Sequence, residues 1–242
     1  MAHHQSQEQM GSNTEQSETK EDSKREDKID SGEGNQKELP QGAYIPYIEF
    51  TFHSEEDWLK WRMSHIGGSE IAATMHKSPF MNRLTLMKTK LGMEPQMKPN
   101  AAMERGSMLE ETVRQMCESR LKQRLPSKTL QSKKYPHLVA QIDGLGVSEQ
   151  IEIKCPYSEI KFSEMAKEIP LHYQLQMQHQ MIVSGRESVV FCLYFEGCLR
   201  LFRYQSCPDM QSQILDSSRQ FLEDLQQAQE ANERQNNAPQ KK

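Results

Sequence analysis

The chain has 242 residues, 34 acids against 30 bases, and a mean hydropathy of −0.84, which suits one globular domain with polar tails. No apolar run approaches the length of a membrane span. The five cysteines, at 117, 155, 192, 198 and 207, show no C-x-x-C spacing, which argues against a zinc ribbon or an iron–sulfur cluster and for reduced thiols in the cytoplasm, or in the nucleus of a eukaryotic host.

Residues 1–42 carry almost no large apolar side chain and are expected to be a disordered tail. The tail holds ten acids and five bases, so the rest of the chain is close to neutral, and only a local clustering of bases would mark a nucleic-acid surface. Residues 43–52 read as extended. Ser54 before Glu55, Glu56 and Asp57 starts a helix that runs to about Met63. Within it, Trp58 and Arg62 stand one turn apart. Gly67-Gly68 breaks the chain, and Ser69 is expected to cap a short helix from Glu70 to about His76, closed by Ser78-Pro79. Arg62, the Ser69 hydroxyl and a helix N-terminus together would suit a phosphate; separately they fit an ordinary cap and a surface arginine.

A third helix covers Arg83 to Leu91, and a long one Asn100 to Leu121. The long helix has an apolar stripe of Met103, Gly106, Val113 and Cys117, and Glu110 falls within it. A carboxylate on a buried face must be paired or bind a metal. Residues 128–134 read as a lysine-rich edge strand, with Lys128, Lys133 and Lys134 as a candidate basic surface or a solvated edge.

Leu138–Ile142 and Gln150–Lys154 are expected to form a central hairpin, with Asp143-Gly144-Leu145-Gly146 as its turn. Residues two apart in a strand point the same way, so Glu152 and Lys154 project together while Ile151, Ile153 and Cys155 face the core. Asp143 and Glu152 converging beside a lysine suit Mg²⁺ or Mn²⁺ in a wet cleft, since hard cations prefer oxygen ligands. A surface hairpin with a salt bridge fits the same pattern. Ser158–Glu168 and Leu171–Ser184 read as helices, the second with Leu171, Leu175 and Ile182 inward and Gln178 among them. Ser188–Phe195 and Cys198–Tyr204 make a second hairpin about Glu196-Gly197. Residues 208–231 form an amphipathic helix with Ile214, Phe221 and Leu225 inward, packed on a domain spanning 43–207, and 232–242 fray. The order of elements predicts an α/β fold, a mixed sheet flanked by helices.

Six segments in this order resemble one family: Trp58-Leu-Lys-Trp-Arg62, Gly67-Gly68-Ser69-Glu70 with Ser78-Pro79-Phe80, Met103-Glu-Arg-Gly106-Ser-Met-Leu-Glu110, Asp143-Gly144, Ile151-Glu152-Ile153-Lys154-Cys155-Pro156, and Tyr173-Gln174-Leu175-Gln176-Met177-Gln178. The family is the phage lambda exonuclease and YqaJ-type viral recombinase group, within the restriction-endonuclease-like PD-(D/E)XK nucleases. The resemblance spans about residues 50–205. It implies a restriction-endonuclease-like fold and a metal-dependent exonuclease that shortens duplex DNA from a 5′ end and leaves 3′ single strands for annealing. By position it implies that Glu110, Asp143, Glu152 and the Ile153 carbonyl hold Mg²⁺, or Mn²⁺ in its place, as two ions. It makes Lys154 the residue that positions water and Gln178 one that orients the lysine or the phosphate. Arg62 and Ser69 would grip a 5′ phosphate, and Gln176 would touch DNA. A ring-shaped homotrimer and a single-strand annealing partner are implied as well.

The chain departs from the family in two places. Gln141-Ile142 stand where Ser-Pro is common, which removes one phosphate contact and relaxes the turn, and Glu70 stands where Asp is frequent. A structure-specific endonuclease of this fold, or a DNA-end-binding protein without catalysis, stays open as an alternative.

Overall fold

The computed structural model describes residues 44–96, 98 and 100–236, so the expected tail 1–42 and the last residues, 237–242, lie outside the described residues. Polar caps start most of the helices. Ser54 accepts from the Asp57 N–H to open α1 (Glu55–Met63), Asn82 from Thr85 to open α3 (Arg83–Lys90), and Asn100 from Met103 to open α4 (Ala101–Leu121). Between α1 and α3 lie a two-residue strand β2 (Ile66–Gly67), a 3₁₀ turn (Gly68–Glu70) and the short α2 (Ile71–Thr74). Gly67, not Ser69, stands at the cap position of that turn. Ser158 caps α5 (Glu159–Lys167), and Pro170 precedes α6 (Leu171–Ser184), which ends at Gly185 in the left-handed region.

Two four-stranded sheets carry these helices. The first has the order β1-β3-β4-β2, with β1 (Tyr47–Phe50), β3 (Lys128–Ser132) and β4 (Leu138–Ile142). The second has the order β5-β6-β7-β8, with β5 (Gly144–Leu145), β6 (Gln150–Lys154), β7 (Ser188–Phe195) and β8 (Cys198–Gln205). Each sheet is mixed: β2 pairs parallel with β4, and β6 parallel with β7, while the remaining pairs are antiparallel.

Three sequence expectations are corrected here. The strands at 138–142 and 150–154 are not a hairpin with each other. β4 pairs with β3, and the chain changes sheets at Asp143, so Gly144 and Leu145 are strand and the reversal falls at Gly146–Glu149, where the Gly146 N–H donates to the Glu149 carbonyl at 2.8 Å. β3 is not an edge, because β1 covers its outer side; Lys128 pairs with Glu49 across that ladder. The last helix, α7, starts at Pro208 and continues to Asn236, past the expected end at 231.

The packing explains which face each element presents. Ile151 and Ile153 of β6 meet Val113 and Cys117 of α4 in one buried cluster. The opposite face of the second sheet meets α5 and α6 through Phe191, Met177 and Met181. Leu175 of α6 and Ile214, Phe221 and Leu225 of α7 close a third cluster over the first sheet. The α4 stripe holds only in part: Val113 and Cys117 are fully buried, but Met103 is 46% exposed. Leu171, expected inward, is exposed because it opens the first turn of α6.

Candidate active site

Asp143 is the single residue between β4 and β5. Leaving one sheet for another frees its side chain to turn across the second, where Oδ2 accepts the Ile153 N–H at 2.7 Å. Gly144 makes the turn possible: a Cβ there would come within 2.8 Å of Ile151 and 2.9 Å of Leu125. Glu152 and Lys154, two apart on β6, project to the same face and form an ion pair, as the strand period requires.

That face is not a wet cleft for Glu152, which is 1% exposed because α6 lies over it. Gln176 donates to Glu152 Oε1 at 2.7 Å and Gln180 to Oε2 at 2.6 Å, so a buried carboxylate is satisfied by two amides one helical turn apart and by Lys154. Gln178 points elsewhere. Its Nε2 donates to the Gln205 carbonyl at 2.8 Å and its Oε1 accepts the Cys207 N–H at 3.0 Å, tying α6 to the start of α7. The expected orienting role of Gln178 is therefore corrected: at about 100° per residue, 176 and 180 share a face that 178 does not. Gln176, expected at DNA, has its amide on Glu152.

Glu110 reaches the site from α4 through Arg114. Arg114 donates to Glu110 at 3.3 Å and to the Asp143 carbonyl at 2.8 Å, and it also pairs with Glu111. Arg105, a turn before Glu110, donates to the carbonyls of Cys155 at 3.2 Å and Pro156 at 3.0 Å, pinning the exit of β6 to the same helix. Sequence reasoning missed Arg105, Arg114 and Gln180. The i,i+4 spacing of Glu110 with Arg114, and of Gln176 with Gln180, was the available signal.

Electrostatics separate the groups. Burial and then the Glu152 carboxylate push Asp143 well above the usual carboxylate range, Glu110 adding to the effect and Lys154 opposing it. Burial works against the Lys154 charge, but Glu152 and Asp143 outweigh it and hold its pKa above that of an ordinary lysine. The Lys154 ammonium also sits 5.0 Å from the centre of the Tyr173 ring.

Among the described residues, no three His, Cys, Asp or Glu side chains form a ready-made metal cluster. The expected meeting of Glu110, Asp143 and Glu152 around shared ions is thus not preformed, since Lys154, Gln176 and Gln180 hold Glu152 and Arg114 draws Glu110 aside. In kind the donors still fit a hard divalent cation: all are oxygens, and the repulsion raising Asp143 is what such a charge relieves.

The phosphate-site candidates do come together. Arg62 Nη2 donates to Ser69 Oγ at 3.0 Å, and the Arg62 guanidinium lies 5.2 Å from the Trp58 ring centre. Arg62 also pairs with Glu70 at 3.4 Å. Beneath them Lys90, 7% exposed, donates to the Arg62 carbonyl at 2.8 Å, the His65 carbonyl at 2.6 Å and both Glu70 oxygens. Gly68 lies against α6, with the position of a Cβ 3.4 Å from Gln176 Cγ, an ordinary contact distance. Gln176 thus links the Arg62–Ser69 corner to Glu152.

The YqaJ-like viral recombinase domain matches residues 57–187, more than half of the chain. No functionally curated protein matches it. The chain is similar to the alkaline exonuclease LHK-Exo of Laribacter hongkongensis, at 25% identity and a TM-score of 0.66, covering 74% of this chain and 97% of that one. The complex of LHK-Exo with dAMP superposes with a TM-score of 0.67 at the same identity and coverage. A phage-related exonuclease from Haemophilus somnus 129PT shares the fold at 12% identity and a TM-score of 0.53, over 68% of this chain and 94% of that one. With its mixed sheets flanked by helices, the α/β architecture is that of the restriction-endonuclease-like exonucleases, and this chain belongs to the YqaJ-like viral recombinase family.

Proposed function

We propose that this protein is a Mg²⁺-dependent deoxyribonuclease that shortens duplex DNA from a 5′ end, leaving 3′ single strands for annealing recombination. The observation that carries the reading is Asp143 at the sheet junction, held by the Ile153 N–H beside the Glu152–Lys154 pair, in a member of this family. LHK-Exo, named as an alkaline exonuclease and solved with dAMP, is similar over nearly its whole length and supports the same chemistry here.

Asp143, Glu152 and Glu110, with the Ile153 carbonyl, would hold one or two Mg²⁺ ions, Mn²⁺ substituting. Bound cations supply charge neutralisation at the scissile phosphate and at the leaving oxygen. Lys154, beside Glu152, is placed to orient a water or a phosphate oxygen through an N–H. Gln176 and Gln180 hold the Glu152 carboxylate in one orientation. Glu152 would be among the residues that hold the cation, and the Lys154 ammonium beside it would then be available to the phosphate. Arg62 and Ser69 receive the terminal 5′ phosphate, with the Arg62 charge shared with Glu70. A ring of identical subunits around the duplex, and a partner that anneals the 3′ strand, complete the reading.

The test is an end-labelled linear duplex beside a matched closed circle, each with and without Mg²⁺. The expected result is loss of nucleotides from the 5′ ends of the linear duplex with Mg²⁺ only. Cutting of the circle would make the protein an endonuclease, and binding of ends without shortening would make it a binding module.

A further inference from the structure

Phe80 is held firmly and left in solvent. Its side chain is 65% exposed. The turn that carries it is fixed: Ser78 Oγ accepts the N–H groups of Phe80 at 3.2 Å and Met81 at 3.3 Å, Pro79 restricts the backbone between them, and Met81 packs on the core. Scattered exposed apolar residues are common. Phe80 differs in what lies behind it. Its ring meets His172 edge to face, 5.1 Å between centres and 88° between planes. The His172 ring lies 4.0 Å from that of Tyr173. Tyr173 in turn flanks the Lys154 ammonium at 5.0 Å. Three rings in succession lead from solvent to the candidate reaction centre. The half-buried His172 ring thus stands between those of Phe80 and Tyr173.

We propose that Phe80 is a nucleobase-stacking platform, taking the face of a base in the DNA strand whose phosphodiester lies at Lys154, with His172 as its backing. The inference rests on the nuclease reading for the position of that phosphodiester, but stacking can be read without cleavage. A rigid aromatic face is the usual means of holding a single-strand base without choosing its identity, since every base offers a π-face. The platform therefore grips the end being processed and imposes little sequence preference.

The test is binding of a 5′-phosphorylated duplex carrying 2-aminopurine near the 5′ end, with Ca²⁺ in place of Mg²⁺ to hold back cleavage. Wild-type protein should change the fluorescence of the probe at one or two positions. Phe80→Ala should abolish that change and weaken binding by about tenfold, while Phe80→Trp keeps both. An abasic nucleotide at the responsive position should weaken wild type by the same factor and Phe80→Ala no further. Equal affinity of wild type and Phe80→Ala, or a Phe80→Ala loss that persists on the abasic duplex, would overturn the platform. If wild type stacks the probe through Phe80 yet never shortens DNA with Mg²⁺, the platform stands and the nuclease reading falls. If wild type shortens DNA and Phe80→Ala binds it equally well, the nuclease stands and the platform falls. A wild type that binds no ends at all removes both.

Discussion

Among the described residues two glutamate–lysine pairs are largely buried, Glu70–Lys90 and Glu152–Lys154, and their surroundings differ in sign. At Glu70 two cations face one acid. Burial alone would raise the Glu70 pKa, but Lys90 and Arg62, helped by the Gly67 N–H, bring it below the usual value. At Glu152 the balance is reversed: burial, then the Glu152 carboxylate, drives the Asp143 pKa up, with Glu110 adding to the effect. The first pair is electrostatically closed and serves the fold. At the second, Lys154 pairs with Glu152 and Arg114 with Glu110, while among the described residues Asp143 forms no ion pair of its own, which is the condition a cation can use. A site held in such a state sacrifices stability for function.

The sharpest way to break this contrast is at the acids. Asp143→Asn and Glu152→Gln should each cut cleavage of linear duplex by more than about 100-fold, with circular dichroism unchanged because both substitutions keep the shape of the side chain. Loss of folding in both would make these acids structural. At the other pair, Lys90→Met should destabilise the protein by about 3–5 kcal/mol in urea titrations, since it leaves the largely buried Glu70 with only Arg62 and the Gly67 N–H. A negligible change would show that Glu70 escapes to solvent.

The pH dependence of stability separates the pairs further. Glu70 has a lowered folded pKa, so its contribution is present above the ordinary carboxylate pKa and is lost as pH falls through the folded value. Asp143 has a raised folded pKa, so the folded state loses stability as pH rises from the ordinary carboxylate value through the raised one, and the penalty persists at neutral pH. Asp143→Asn should therefore raise the Tm at neutral pH, whereas Glu70→Gln lowers it; equal shifts of one sign would erase the contrast. The smallest effect is expected at Arg62. Arg62→Ala should slow a 5′-phosphorylated duplex more than a 5′-hydroxyl one, by roughly tenfold, and equal slowing would take the phosphate away from this corner.

Much of the local structure was legible because short-range chemistry sets it. Ser54 announces α1, and Glu196-Gly197 announces the β7–β8 hairpin. The strands around Asp143 were not legible as paired, because their partners, β3 and β7, are chosen by long-range packing that no local period encodes. The same limit applies to the site. The two-residue period of β6 put Glu152 and Lys154 on one face, but the burial of Glu152 depends on α6 docking over it. Gln178 drew attention by lying in the Leu175–Ile182 stripe, and that stripe is the face turned to α7 and the end of β8, while Gln176 and Gln180 face the acids.

The central claim is that the acids at 143, 152 and 110 take a divalent cation. Titration of Mn²⁺ into wild type and Asp143→Asn, followed by the loss of the free-ion paramagnetic resonance signal, tests it most directly. The account predicts saturable binding to wild type that Asp143→Asn abolishes. Equal binding to both proteins, or none to wild type even with duplex DNA present, would contradict it.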